Sequence, residues 1–184
     1  RQREQRDLVR RANDRALDFF KQTLASSTGA QARAMIQSRG ISDEMVESFQ
    51  IGCAPEGWDG LLRSLPDNAK AHAAFMGAGL LKERSEGNGF YDSFRNRLIF
   101  PIFNQAGQAV GFGGRIIDPA DEPKYLNSPE TELFQKGRTL YGLHLARKSI
   151  GDTGRAIVTE GYTDVIACHQ AGHCNVVGTL GTAL

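Results

Sequence analysis

The stretch Ala156-Ile157-Val158-Thr159-Glu160-Gly161-Tyr162-Thr163-Asp164 constrains the fold of this chain more than any other. Ala156 to Thr159 is a short apolar run of the kind that forms a buried strand. Gly161 lets the backbone turn tightly, and Asp164 falls in the first turn of a helix expected over Val165 to Ala171. Asn175 to Leu180 reads as the next strand. Strand, helix and strand in that order open a parallel sheet, and the C-terminal edge that carries Glu160 and Asp164 is where open α/β sheets place their ligand sites. No Asp or Glu follows Asp164. The pattern is half of an acidic metal site, with its remaining ligands expected beyond Leu184.

The rest of the chain is built differently. Leu8, Ala12, Ala16, Phe19, Phe20 and Leu24 recur at helical spacing, and Ser26-Ser27-Thr28-Gly29 closes the segment with turn formers. Its other face carries Arg1, Arg3, Arg6, Arg10, Arg11, Arg15 and Lys21 among Glu4, Asp7, Asp14 and Asp18, which reads as a solvated helix surface and is assigned no role. Gln31 to Ser38 forms a second helix that stops at Gly40. A third starts behind Ser42 as N-cap, with Asp43 and Glu44 near the positive helix end. Ile51 to Ala54 is extended, Pro55-Glu56-Gly57 turns the chain, and Trp58 begins a helix in which it reads as a packing anchor beside Leu61, Leu62 and Leu65, with an aromatic base-stacking platform as the alternative. Ala69 to Met76 is a further helix, and Glu86-Gly87-Asn88-Gly89 a flexible turn.

From Phe90 the period changes to that of strands. Leu98 to Phe103 and Ala109 to Gly114, joined by Asn104 to Gly107, form an antiparallel hairpin that Arg115-Ile116-Ile117 prolongs. Pro101 cannot donate a ladder hydrogen bond, so its strand is expected at an edge or bulged there. Gly111, Gly113 and Gly114 admit close approach of a neighbouring group, but no Gly-Lys-Ser/Thr follows and the run is not a P-loop. Ser128 reads as an N-cap, Pro129 as the first helical residue and Glu130 as part of the first turn.

Composition sets bounds rather than a function. The 184 residues, 40% of them hydrophobic, suffice for one domain or two small ones. A formal net charge of +1 excludes a uniformly basic coat, so a polyanion site must be a local patch. No stretch has the length or continuity of a membrane span and no signal peptide opens the chain, which points to a cytoplasmic protein without a membrane partner. Three cysteines, Cys53, Cys168 and Cys174, fit a reducing compartment better than a disulfide framework. Cys168-His169 and His173-Cys174 contain zinc-ligand chemistry, yet a helix and the strand after it need not converge, and buried free cysteines with partly exposed histidines account for them. The start at Arg1 reads as that of an excised piece.

Several ordered segments resemble bacterial DNA primases of the DnaG type. They are Arg39 to Ser42, Phe49 to Gly52, Ala54 to Asp59, Tyr91 to Arg97 with Phe100-Pro101-Ile102, Gly111 to Arg115, Pro123 to Thr131, and Phe134 to Arg138 leading to Leu140-Tyr141-Gly142. Glu160 to Asp164 resembles the first motif of that family's Toprim metal-binding fold. The resemblance runs from about Gln31 onward and implies an α/β protein. Residues 1–147 would be an α+β N-terminal subdomain of the catalytic core, a helical cap plus the antiparallel hairpin. Residues 148–184 would be the start of a Toprim-like parallel sheet.

The resemblance also implies an activity: synthesis of short RNA primers on a single-stranded DNA template from ribonucleoside triphosphates. Glu160 would act as the acidic base or a metal-associated residue and Asp164 would support the metal site. Mg²⁺ or Mn²⁺ would be the ion, because carboxylates must gather where oxygen charge develops. Arg95, Arg97, Arg115, Lys124, Lys136 and Arg138 would line a basic ridge and nucleotide pocket. Arg95 and Arg97 share a face if their stretch is extended. Lys124, Tyr125 and Asn127 would hold the incoming or initiating nucleotide. Ser93 stands where the family commonly has a basic side chain. Zinc belongs to a separate Cys/His module with no counterpart before Gln31, and the helicase-binding module and the Asp-x-Asp metal motif would lie past Leu184, so the chain by itself is expected to be inactive. A phage-type primase-helicase, a Toprim topoisomerase or nuclease, and a non-catalytic DNA- or nucleotide-binding module share parts of this pattern. The motifs from Lys124 to Gly142 argue against the topoisomerase or nuclease.

Overall fold

The structure, a computed structural model, describes residues 2–86 and 88–181. Arg1, Gly87 within the expected Glu86 to Gly89 turn, and Thr182 to Leu184 lie outside the described residues. Helices α1 (Gln2–Ala25), α2 (Ala30–Ser38) and α3 (Asp43–Ser48) come first, with a 3-10 turn at Ser27–Gly29 between α1 and α2. Strand β1 (Gly52–Ala54), α4 (Gly60–Arg63), α5 (Ala69–Gly77), β2 (Leu81–Glu83) and β3 (Phe90–Asp92) follow. Then come β4 (Arg97–Phe103), β5 (Ala109–Ile116), β6 (Tyr125–Asn127), a 3-10 turn at Lys136–Arg138, α6 (Leu143–Thr153), β7 (Ile157–Thr159), α7 (Tyr162–Gln170) and β8 (Val176–Gly178). No helix among the described residues is long and apolar enough to cross a membrane.

The centre is an antiparallel sheet in the order β1-β4-β5-β6. Every residue of β4 is buried, because helices cover the sheet on both sides. On one side α1 sets Val9, Ala12, Ala16 and Phe20 against Phe94, Ile99 and Phe112, with Phe75 of α5 in the same cluster. Phe20 meets Phe112 edge-on at 5.3 Å. On the other side Leu98, Phe100 and Ile102 pack with Phe49, Tyr141, Tyr162, Val165 and Val176. Removing this much apolar side-chain surface from water, at about 25 cal/mol per Å², is the main force holding both layers to the sheet.

The parallel element is small. Among the described residues β7 pairs only with β8, Ile157 opposite Val176 and Thr159 opposite Gly178. Tyr141 and Gly178 exchange backbone hydrogen bonds of 2.8 and 2.9 Å, which fasten β8 to the earlier part of the chain. The expected division after Arg147 falls inside α6.

Local signals account for most elements. Ser42 Oγ accepts the Met45 N–H at 3.3 Å, the N-cap bond anticipated for α3. Four expectations are corrected, for Trp58, for Ser128 to Glu130, for the burial of β7 and for the histidine and cysteine cluster. Trp58 does not start a helix or anchor a core: it is 55% exposed, and α4 begins at Gly60. The cap of α4 comes from another element, because Asp92 of β3 accepts the Leu61 and Leu62 N–H groups at 2.7 and 3.0 Å. Burial raises the Asp92 carboxyl from its ordinary value, while those two bonds pull it back down.

Ser128 to Glu130 form no helix. The Ser128 N–H donates to the Phe112 carbonyl and the Phe112 N–H to Ser128 Oγ, both at 2.8 Å, so Ser128 prolongs the pairing of β6 with β5. Pro129 packs on Gly79, where even a methyl side chain would collide with its ring. β7 is not buried: Ile157 and Val158 are each 48% exposed, because a two-stranded sheet leaves their side without a covering layer. Pro101 lies in an inner strand, but β1 pairs only as far as Ile99, so β5 alone stands beside it, and the register shifts at Ile102/Phe103.

Of the neighbouring Cys168, His169, His173 and Cys174, it is His169 that is buried, donating from Nε2 to the Val176 carbonyl at 2.8 Å, while Cys174 is exposed. Cys53 is buried, and its thiol is pushed up to about 11 by desolvation. No group of three or more His, Cys, Asp or Glu among the described residues could hold a metal ion.

Candidate functional site

Glu160 follows the last residue of β7 directly and Asp164 stands in the first turn of α7, so both carboxylates occupy the C-terminal edge of the parallel pair, as the sequence predicts. Both are exposed, and neither makes a hydrogen bond or ion pair with another described residue. Gly161 makes no unusual turn: its backbone is extended (φ −120°, ψ 148°), and a Cβ there would meet only the free end of the exposed Asp164 side chain, 2.7 Å from Oδ2. Asp164 faces a groove of about 460 Å³ shared with Arg39, Thr163 and Gln170. Two hard carboxylates suit a divalent cation but do not complete its coordination.

Tyr162, inside the same loop, points back into the central sheet. Its ring stacks on Phe100 with centroids 5.1 Å apart, meets Tyr141 edge-on at 4.7 Å, and its hydroxyl donates to Asn127 Oδ1 at 2.6 Å. The ring fits only because residue 113 is glycine: a Cβ there would lie 2.6 Å from Tyr162 Cε2 and nearer still to Cζ and the hydroxyl. The Gly111 to Gly114 cluster thus admits groups of the chain itself. Tyr162 was not among the residues singled out from the sequence, although a glycine inside a strand signals that something approaches its backbone.

The basic residues fall into three groups. Strand register and alternation put Arg97, Ile99, Phe112 and Gly114 on the α1 side of the sheet, and Leu98, Phe100, Gly113 and Arg115 on the α7 side. Arg115 lies over the Tyr125 ring at 5.1 Å and bonds its hydroxyl, next to Asn127 and Tyr162.

On the α1 side a cleft of about 380 Å³ is lined by Trp58, Tyr91, Ser93, Arg95, Arg97 and Leu126. Arg95 and Arg97 do share this cleft, but not through plain alternation, because Asn96 between them takes φ +48°. Arg95 sits over the Trp58 ring at 4.1 Å, and Tyr91 meets that ring at 5.6 Å. Ser93 borders the same cleft, but its hydroxyl is sealed from solvent, without a hydrogen-bond partner among the described residues. Desolvation lowers the Arg97 guanidinium from its ordinary value, partly offset by Asp121. Lys124 is exposed in an adjoining hollow with Asp121 and Pro123.

Arg138 belongs to neither group. It lines a groove beside Phe103 to Ala106, at the opposite end of β4 from Arg97. Lys136 is half-buried, its N–H donating to Glu130 Oε1 at 3.1 Å. None of the six basic side chains forms a salt bridge among the described residues, although Arg95 donates to the Asp92 carbonyl at 2.7 Å and the buried Arg97 to the Gly114 carbonyl at 3.3 Å.

Comparison with known proteins accords with this arrangement. The family described as DNA primase catalytic core, N-terminal domain, matches residues 19–147, and the Toprim domain family matches residues 154–184. The chain is 45% identical over 179 residues to a DNA primase of Deinococcus radiodurans, covering 97% of this chain and 30% of that protein. It is 41% identical over 182 residues to the Escherichia coli DNA primase, 99% of this chain and 31% of that one. The chain therefore spans about a third of the length of these curated relatives. Among solved structures, a DnaG primase catalytic domain bound to single-stranded DNA superposes with a TM-score of 0.91 at 40% identity, over 97% of this chain and 57% of that one.

Proposed function

Since the chain belongs to the family of the DNA primase catalytic core, we propose that it forms the template- and nucleotide-binding part of an enzyme that builds short RNA primers on single-stranded DNA from ribonucleoside triphosphates. The observation that carries this reading is the hydrogen bond between Tyr162 and Asn127, which sets the acidic loop on the same side of the sheet as Arg115 and Tyr125. Carboxylates that can receive a proton or a cation thus share a side of the sheet with side chains that can hold a polyphosphate. In this proposal residues 1–147 are the N-terminal subdomain and 148–184 the start of the Toprim module. The setting is the cytoplasm, with a replicative helicase as partner of a further module.

Each group of residues then has one task. Arg115, Tyr125 and Asn127 hold the nucleotide, with Lys124 and Lys136 adding charge at its margin. Glu160 accepts the proton of the attacking hydroxyl, and Asp164 keeps negative charge beside it. Glu160 and Asp164 would also hold Mg²⁺ or Mn²⁺, which when bound neutralises charge developing on oxygen.

The α1-side cleft suits the template. Trp58 offers an exposed ring on which a base can stack, and Arg95 and Arg97 offer donors to the phosphates beside it. The relative bound to single-stranded DNA supports that assignment at the level of the family.

The test uses a protein of the relatives' length that carries this sequence, with primer synthesis and DNA binding measured side by side. Trp58→Ala is expected to weaken single-stranded DNA binding about tenfold, the effect of losing one stacked base, with thermal stability unchanged. Arg95→Ala should make the salt dependence of that binding shallower by about 0.7 in log–log slope, the signature of one lost phosphate contact. Unchanged affinity and unchanged slope in both variants would mean that the cleft is ordinary surface.

A further inference from the structure

The hydrogen bond from Tyr162 to Asn127 does more than join two segments. An amide has a carbonyl oxygen that only accepts and an NH₂ group that only donates, and whichever end is held inside the protein determines what the other end offers outside. Tyr162 cannot adjust to suit Asn127, because its ring is fixed between Phe100 and Tyr141 in the space left by Gly113. Its hydroxyl is the donor of this bond, at 2.6 Å. Asn127 Oδ1 is the acceptor. Asn127 is half-buried, and its NH₂ group makes no hydrogen bond among the described residues and is not a sealed, orphaned donor. Alternation along β6 puts the Asn127 side chain on the face of the sheet that carries Arg115 and Tyr125.

We propose that Tyr162 is a positioning residue that locks the Asn127 amide with its NH₂ group outward, so that Asn127 serves as a fixed donor to an acceptor oxygen of the bound ribonucleoside triphosphate. This rests on the nucleotide site assigned above and gives one residue within it a defined polarity. Preorganising a donor spares the amide its rotational ordering when the nucleotide arrives, so the effect belongs to binding rather than to chemistry.

The experiment measures KM for ATP and kcat in primer synthesis, together with thermal unfolding, in a protein of the relatives' length. Tyr162→Phe keeps the ring stack and removes only the donor. It should raise KM for ATP about five- to tenfold, the usual worth of one hydrogen bond, with kcat within about twofold and single-stranded DNA affinity unchanged. Asn127→Asp keeps an oxygen for Tyr162 but has no NH₂ group, so it should raise KM at least as much while the protein stays folded. The double variant should be no worse than Asn127→Asp alone, since both changes remove the same contact. An unchanged KM in Tyr162→Phe, a parent-like KM in Asn127→Asp, or strictly additive effects would each overturn the proposal. Lys124→Ala and Arg115→Ala separate this from the wider reading. If they raise KM and Tyr162→Phe does not, only the positioning role fails; if they too leave it unchanged, the nucleotide site is elsewhere and both fall.

Discussion

Glu160→Gln, in a protein of the relatives' length, is expected to fold normally, bind single-stranded DNA like the parent and lose about 10²- to 10⁴-fold in nucleotide incorporation, the range typical of removing a general acid or base. The substitution keeps the size and shape of the side chain and removes its charge and basicity. Nothing in the fold depends on that carboxylate, which is exposed and bonded to no other described residue, so its removal should move stability by no more than about 0.5 kcal/mol. The proposed template cleft lies on the other face of the central sheet and should be untouched. Single-turnover incorporation at saturating template and nucleotide, measured beside thermal unfolding, isolates the chemical step. A folded Glu160→Gln protein with near-parental incorporation would remove Glu160 from the catalytic assignment.

The parts of this molecule that were legible in the sequence are those set by neighbours along the chain. The apolar face of α1, the Ser42 cap, the β4–β5 hairpin and the placing of Glu160 and Asp164 at a strand's end all follow from spacing within one or two turns or one strand. The errors share a different physical origin. Trp58 looks like a core residue beside its leucines, but its partners Tyr91 and Arg95 come from a distant stretch and hold it at the surface. Ser128 and Pro129 carry helix-start chemistry, yet Ser128 instead completes two hydrogen bonds with Phe112, which a pattern search along one segment cannot see.

The candidate site shows the same division. The residue types were legible, but their grouping was not, because a one-residue step along a strand moves a side chain to the opposite face of a sheet. Arg97 and Arg115 thus end on opposite sides although their strands are adjacent, and Arg138 lies at the far end of the hairpin. Val158 has the composition of a buried strand, but burial depends on the layers around it, and among the described residues β7 has only β8 as a strand neighbour.

Gly113→Ala is expected to be the most damaging of the small changes, lowering stability by about 3 kcal/mol, at the upper end of what overpacking a filled core costs. The added methyl group would have to occupy the space of the Tyr162 ring, and the ring has nowhere to retreat. Phe100 lies parallel to it on one side, Tyr141 stands against its edge, and its hydroxyl is tied to Asn127. Moving the ring would therefore shift the start of α7 and the acidic loop with it. For a chain of this size the loss corresponds to a fall in Tm of roughly 6–12 °C. Gly137→Ala is the control: a Cβ there meets nothing within 4 Å, so the same chemical change should leave Tm nearly unaltered. Thermal unfolding of the two variants distinguishes a glycine required for close approach from one that is merely tolerated. Equal Tm values would mean that β5 or the Tyr162 loop can yield, and the rigidity ascribed to the joint between sheet and acidic loop would have to be abandoned.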